Sequence, residues 1–109
     1  MEQIFPSQVA EWASQQTQRP ILLDVREGWE VQTASAHPEG LDLVHIPMQT
    51  IPARLHELNK SAPIACLCHH GGRSMQVANF LLQHGYHVVN VAGGIHAWSA
   101  QVDPSIPVY

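Results

Sequence analysis

Cys68 follows the apolar run Pro63-Ile64-Ala65-Cys66-Leu67 and precedes His69-His70-Gly71-Gly72-Arg73-Ser74. A thiol attacks as its thiolate, and an unperturbed cysteine is only about 3% thiolate at neutral pH. A reactive cysteine therefore needs surroundings that favour negative sulfur. The residues after Cys68 supply them. Gly71 and Gly72 let backbone N–H groups close on the sulfur, and the amphipathic stretch beyond them reads as a helix whose N-terminus carries the positive end of its dipole. Arg73 adds one guanidinium that either fixes the loop or faces a bound oxyanion. The pattern points to a reactive thiolate at Cys68, with His69, His70, Gly71, Gly72 and Arg73 as the loop that cradles a small anion.

The other residues of chemical interest have plainer readings. Cys66 alternates with Cys68 about Leu67 and reads as a small core residue. A disulfide between the two would be strained, and a resolving role for Cys66 inherits that strain. A metal centre built on Cys66, Cys68, His69 and His70, with His45 nearby, fails on three counts. Cys66 belongs to a strand, the adjacent histidines cannot easily both join Cys68 in one tetrahedron, and no second Cys/His pair has metal-finger spacing. No metal ligand is assigned, and without a cofactor motif no cofactor is expected. His56, His84, His87 and His96 read as surface or helix-end residues, and Trp12, Trp29 and Trp98 as packing anchors.

The loop needs elements to hold it. Ile4-Phe5 reads as a short strand, and Pro6-Ser7 opens a helix with Ser7 as N-cap and Val9, Trp12 and Ala13 facing inward. Ile21 to Val25 reads as a strand buried on both faces. Trp29-Glu30-Val31 reads as a helical turn, Gln32 to Gly40 as an exposed loop, and Leu41 to Ile46 as a strand stopped by Pro47. Thr50 is expected to cap a helix with Pro52 in its first turn and Ile51, Leu55 and Leu58 as core positions. After the strand Pro63–Leu67 a helix runs to His84, with Met75, Ala78 and Leu82 on one stripe, Val77 and Leu81 on its flank, and Gly85 as its stop. Val88 to Val91 is the last strand, Gly93-Gly94 a tight turn, and Ile95 to Ala100 a helix with Trp98 inward. Strands alternating with helices over short connections predict an α/β fold: a central, mostly parallel sheet of about five strands with helices on both faces. Such sheets bind ligands beyond the carboxyl ends of their strands, where Asp24-Val25-Arg26, His45, Cys68 and Gly93-Gly94 all fall.

Composition bounds the rest. The 109 residues suit one domain, with a core over about 4–100 and an irregular tail over 102–109. No apolar run approaches the roughly 18 residues of a membrane span. Met1 to Pro6 lacks a basic region followed by an apolar core, so no signal peptide is expected and the chain reads as soluble and cytoplasmic, with free thiols. Net charge is −4, and the five basic residues, Arg19, Arg26, Arg54, Lys60 and Arg73, are scattered. That excludes a nucleic-acid patch and a polybasic membrane anchor as partners. Beyond Lys60, Arg73 is the only basic residue, which suits a small ligand better than a polyanion.

The segment Cys68 to Ser74 resembles the active-site loop of rhodanese-like sulfurtransferases, with a glycine three residues and an arginine five residues after the cysteine. Leu23-Asp24-Val25-Arg26-Glu27, Trp29-Glu30, His45-Ile46-Pro47-Met48 and Gly93-Gly94-Ile95-His96-Ala97-Trp98 look like further landmarks of that family, in its order, over residues 4 to 100. The resemblance implies that Cys68 takes a sulfane sulfur from a small donor such as thiosulfate, forms a persulfide, and passes the sulfur to a thiophilic acceptor: cyanide, a thiol or a protein. It also implies that Asp24 and Arg26 brace the loop from the neighbouring strand end; an exposed ion pair there is as plausible for them as a direct substrate role. The chain departs from the family pattern at Ala36-His37-Pro38-Glu39-Gly40, so His37 receives no role. Related phosphatases and arsenate reductases place five residues between cysteine and arginine, where this chain has four, His69 to Gly72. The shorter loop suits one sulfur atom. The rival expectation is a sulfur-carrier or partner-binding module of the same family with little small-molecule turnover. The intact Cys68, Gly71 and Arg73 argue against an inactive one.

Overall fold

The apolar runs become five strands, β1 (Gln3–Ile4), β2 (Ile21–Asp24), β3 (Asp42–His45), β4 (Ile64–Leu67) and β5 (Val88–Val91), in a computed structural model that describes residues 1–109. All pairings are parallel, and the strand order is β1-β5-β4-β2-β3. β4 sits at the centre and is buried along its whole length. Its side chains alternate between two cores, as strand geometry requires. Ala65 and Leu67 join Leu22, Val89 and Val91 on one face, whereas Ile64 and Cys66, with Cys68 just beyond, join Leu23, Val25 and Val88 on the other. The first face is covered by α1 (Val9–Ser14), by α4 (Gly94–Gln101) through Ile95 and Trp98, and by Ile106. The second is covered by α3 (Gly72–Gln83) through Val77, Ala78 and Leu81, and by Ile51 and Leu58.

Parallel strands bring their carboxyl ends to one edge, and the register aligns them. Asp24 pairs with Leu67 on one side and His45 on the other. The Val25 N–H then donates to the Leu67 carbonyl at 3.0 Å and the Ile46 N–H to the Asp24 carbonyl at 3.1 Å. From β2 the chain passes through α2 (Gly28–Thr33) to β3, and from β4 it passes through α3 to β5 on the opposite side. Neighbouring strands whose connections diverge leave a crevice between their ends, the usual ligand position in such sheets. No helix is long and apolar enough to cross a membrane.

Several local expectations are corrected. Ser7 does not cap a helix; it lies inside a 3-10 turn (Pro6–Gln8) that precedes α1, and the Gln8 side chain accepts the Phe5 N–H at 2.8 Å. The exposed loop expected over Gln32–Gly40 is partly core, since Ala34 and Ala36 are buried. The helix expected after Thr50 is two 3-10 turns, Met48–Thr50 and Pro52–Glu57. The backbone at Arg54 leaves the helical region (φ −112°, ψ 16°), which interrupts a longer helix, and three-residue bonds such as Arg54 N–H to Ile51 carbonyl take over. On α3 Leu82 is half exposed, and the inward stripe is Ser74, Val77, Ala78 and Leu81. Trp29 is no packing anchor: it is 64% exposed, and its ring stands edge-on to Tyr109 with centroids 6.0 Å apart.

Candidate functional site

β4 ends at Leu67 and α3 begins at Gly72, so Cys68 to Gly71 turn the chain from strand to helix. Within that turn the Gly71 N–H donates to Cys68 Sγ at 3.0 Å. Gly71 holds φ at +107°, where side-chain-bearing residues are rarely found, and an added Cβ would lie 3.2 Å from the Gly93 nitrogen. Its carbonyl accepts Asn90 Nδ2 at 3.1 Å and Ser74 Oγ at 3.2 Å. The amide that faces the sulfur is thus fixed from behind by a central-sheet residue and by the first turn of α3. Cys68 itself is buried.

α4 clamps the other side of the loop. The Ile95 N–H donates to the Cys68 carbonyl at 2.9 Å and the His96 N–H to the His69 carbonyl at 3.1 Å. These bonds need Gly94, whose φ is +60° and whose Cβ, if added, would overlap both carbonyls. Positive φ at Gly93 and Gly94 is therefore what lets the end of β5 turn into a helix that meets the cysteine loop.

Arg73 does not face an open ligand position. Its Nη1 and Nη2 donate to Glu30 Oε1 and Oε2 at 2.7 and 2.8 Å. The Glu30 side chain is only 5% exposed, and it also accepts the Glu27 N–H and the Tyr109 hydroxyl. The Arg73 guanidinium holds the Glu30 carboxyl down to about 2 despite burial, and the same bonds raise the arginine.

Asp24 and Arg26 form no exposed pair; both are buried, with Arg26 fully enclosed. Arg26 Nε and Nη2 bind the two Asp24 oxygens at 2.9 and 2.7 Å. Nη2 also donates to the Ala34 carbonyl at 2.7 Å, and Nη1 donates to the Glu30 carbonyl at 3.3 Å and the Tyr109 hydroxyl at 3.0 Å. All five guanidinium donors are used, which is the condition for burying this charge without a large penalty. The Arg26 carbonyl accepts His45 Nε2 at 2.7 Å, so that imidazole is occupied with the end of β2.

Tyr109 is the residue that sequence reasoning missed. Its hydroxyl donates to Glu30 Oε2 at 2.8 Å while accepting from Arg26, and its ring stacks on His69 with centroids 3.9 Å apart and planes 5° from parallel. The tail has no helix or strand, yet it returns to the site. Asn90 was also missed, although an amide inside the strand Val88-Val89-Asn90-Val91 is a legible signal: a polar side chain buried in a central sheet has a partner to hold.

The structure also assembles a group that was not foreseen. One ring nitrogen from each of His69, His70 and His96 lies within 4.8 Å of the others. Burial, followed by the neighbouring His70, lowers the pKa of His69 and favours its neutral ring. Cys66 sits in the same core as Cys68, and burial pushes its thiol well above the ordinary range. Both thiols are free. The largest surface cavity, about 470 Å³, lies at the amino ends of the strands among Met1, Glu2, Pro63 and Val88, away from this site.

Comparison with known proteins fits this arrangement. The family described as "Rhodanese-like domain" matches residues 6–101. A sulfurtransferase of Allochromatium vinosum is 37% identical over 84 residues, covering 76% of this chain and 75% of that protein. The rhodanese-like/PpiC domain-containing protein 12, chloroplastic, of Arabidopsis thaliana is 43% identical over 93 residues; the match covers 81% of this chain but 30% of that protein's length. A rhodanese-like domain protein from Staphylococcus aureus superposes with a TM-score of 0.78 at 29% identity, over 100% of this chain and 99% of that one. The family match spans β2 to β5, the cysteine loop, the Asp24–Arg26 pair and α4, and the chain belongs to the rhodanese-like domain family.

Proposed function

We propose that this chain is a sulfurtransferase in which Cys68 carries the transferred sulfur as a persulfide. The hydrogen bond from the Gly71 N–H to Cys68 Sγ, 3.0 Å, carries the proposal, because it aims a fixed donor at the atom that must bear negative charge. The Cys68 thiolate attacks the outer sulfur of a donor such as thiosulfate. The donor's S–S bond breaks, sulfite departs with the electron pair, and Cys68 holds Cys–S–S⁻. A nucleophile such as cyanide or a thiolate then attacks the terminal sulfur, and the Cys68 thiolate is restored. This is two-step covalent catalysis, and its kinetic mark is a ping-pong pattern.

Other residues of the site act by holding the loop. Asn90 and Ser74 fix the Gly71 carbonyl, Arg73 ties α3 to Glu30, and the Asp24–Arg26 pair braces the neighbouring strand end. Four residues between Cys68 and Arg73 suit one sulfur atom. The sulfurtransferase among the relatives supports the same reaction class.

Intact mass after incubation with thiosulfate tests the proposal on wild type, Cys66→Ser and Cys68→Ser. One added sulfur is expected on the first two and none on Cys68→Ser. An adduct that survives Cys68→Ser overturns it. Cyanide separates an enzyme acting on small molecules from a carrier: release of thiocyanate over many cycles supports the first, and a persulfide that cyanide does not discharge supports a carrier with a protein acceptor.

A further inference from the structure

We infer that His69, His70 and His96 form a binding site for a divalent late transition-metal ion of the Zn²⁺ or Cu²⁺ type, on the loop that carries Cys68. The site is independent of the sulfur-transfer reading, because its ligands are imidazoles and include no cysteine.

Three observations carry it. The first is convergence: one ring nitrogen of each histidine lies within 4.8 Å of the other two, although His96 is distant in sequence and on another element. The ring centroids stand 3.9 Å apart for His69 and His70, 5.1 Å for His70 and His96, and 6.4 Å for His69 and His96. Nitrogens bound tetrahedrally to Zn²⁺ at about 2.0–2.1 Å stand about 3.3 Å apart, so the rings must close by about 1.5 Å. His70 and His96 are exposed and free to turn inward.

The second is the frame. The His96 N–H donates to the His69 carbonyl at 3.1 Å and the Ile95 N–H to the Cys68 carbonyl at 2.9 Å. The backbones that carry His69 and His96 are therefore already joined. Tyr109, stacked on His69, limits the movement of that ring.

The third is an orphan. His69 Nε2 is buried and has no hydrogen-bond partner, one of only two buried side-chain nitrogen or oxygen atoms in that condition. A buried polar atom without a partner calls for an explanation, and a metal ion bound at that nitrogen would supply one.

The donor set fixes the class of ion. Imidazoles without carboxylate suit zinc, copper, nickel and cobalt, not magnesium or calcium. Three protein ligands leave a fourth position for water or an incoming ligand, the pattern of open zinc sites.

Titration of the untagged protein with Co²⁺, followed by visible d–d absorption, and calorimetric titration with Zn²⁺ test the inference. One ion per chain is expected, with the strong absorption of a four-coordinate Co²⁺ site. His70→Ala and His96→Ala should each weaken binding at least tenfold, whereas Cys68→Ser and His84→Ala should leave it unchanged. Both histidines are exposed, so a loss cannot be blamed on unfolding; circular dichroism of the same samples checks this. Absence of saturable binding overturns the inference, as does binding unchanged in His96→Ala or abolished in Cys68→Ser.

Discussion

Arg73 and Glu30 form a two-pronged ion pair, 2.7 and 2.8 Å, that joins the first turn of α3 to α2 beside the cysteine loop. Arg73 is thereby committed to protein and ties α3 to α2. Lysine offers a single point charge in place of a fork. Arg73→Lys should therefore lower the rate of persulfide formation from thiosulfate by about tenfold or more, in line with about 1–3 kcal/mol for a charged hydrogen bond lost. Single-turnover mass spectrometry measures it. A rate equal to wild type would show that the fork does not position the loop.

Glu30 gives the same pair a pH signature. Its carboxyl titrates near 2 in the folded chain against 4.5 for the ordinary group. The unfolded chain therefore binds the proton more readily, and the contribution of Glu30 to stability is complete above about pH 5 and fades as pH falls toward 2. Urea midpoints measured from pH 6 down to pH 2.5 should drop for wild type and drop less steeply for Glu30→Gln, which starts from lower stability.

Tyr109 separates two functions of the tail. Tyr109→Phe keeps the ring stacked on His69 but removes the hydroxyl from Arg26 and Glu30, leaving buried donors and acceptors short of one partner. A cost of about 1–3 kcal/mol is expected from denaturant unfolding. Tyr109→Ala also removes the cover from His69, so it should cost more and raise amide exchange in the loop after Cys68. Equal effects of the two variants would mean that the stacking contributes nothing.

The sheet and the cysteine loop were legible because each leaves a local signal. Ile21–Leu23 and Ile64–Leu67 are apolar runs, Val88–Val91 is a β-branched run broken only by Asn90, and Cys68 to Arg73 carries its glycines at fixed spacing. What escaped depends on distant pairing. Nothing near Arg26 announces that its guanidinium is enclosed by Asp24, Glu30, Ala34 and Tyr109, because one of these partners is 83 residues away. Trp29 was misplaced for the opposite reason: its size suggests burial, yet in α2 it is Glu30, one residue on, that turns inward to meet Arg73 and Tyr109. The metal-type cluster was invisible because His96 joins His69 and His70 only through the fold of α4 on the loop.

That fold of α4 on the loop rests on Gly94, and a paired substitution tests it. A Cβ at Gly94 would overlap the Cys68 and His69 carbonyls, both of them backbone, and φ there is +60°. Backbone cannot give way as a flexible side chain does, so Gly94→Ala must separate α4 from the loop, losing the bonds from the Ile95 and His96 N–H groups. At Gly28, the first residue of α2, an added Cβ meets nothing within 4 Å and the backbone is not left-handed. Gly28→Ala should therefore be neutral or stabilising by up to about 1 kcal/mol, the helix preference for alanine. Gly94→Ala should cost at least about 2 kcal/mol through strain and two lost hydrogen bonds, and should also slow sulfur loading of Cys68 in the fraction that stays folded. Denaturant unfolding and single-turnover loading of both variants decide the matter. If Gly94→Ala matches Gly28→Ala in both measurements, the clamp is not what holds the cysteine loop in place.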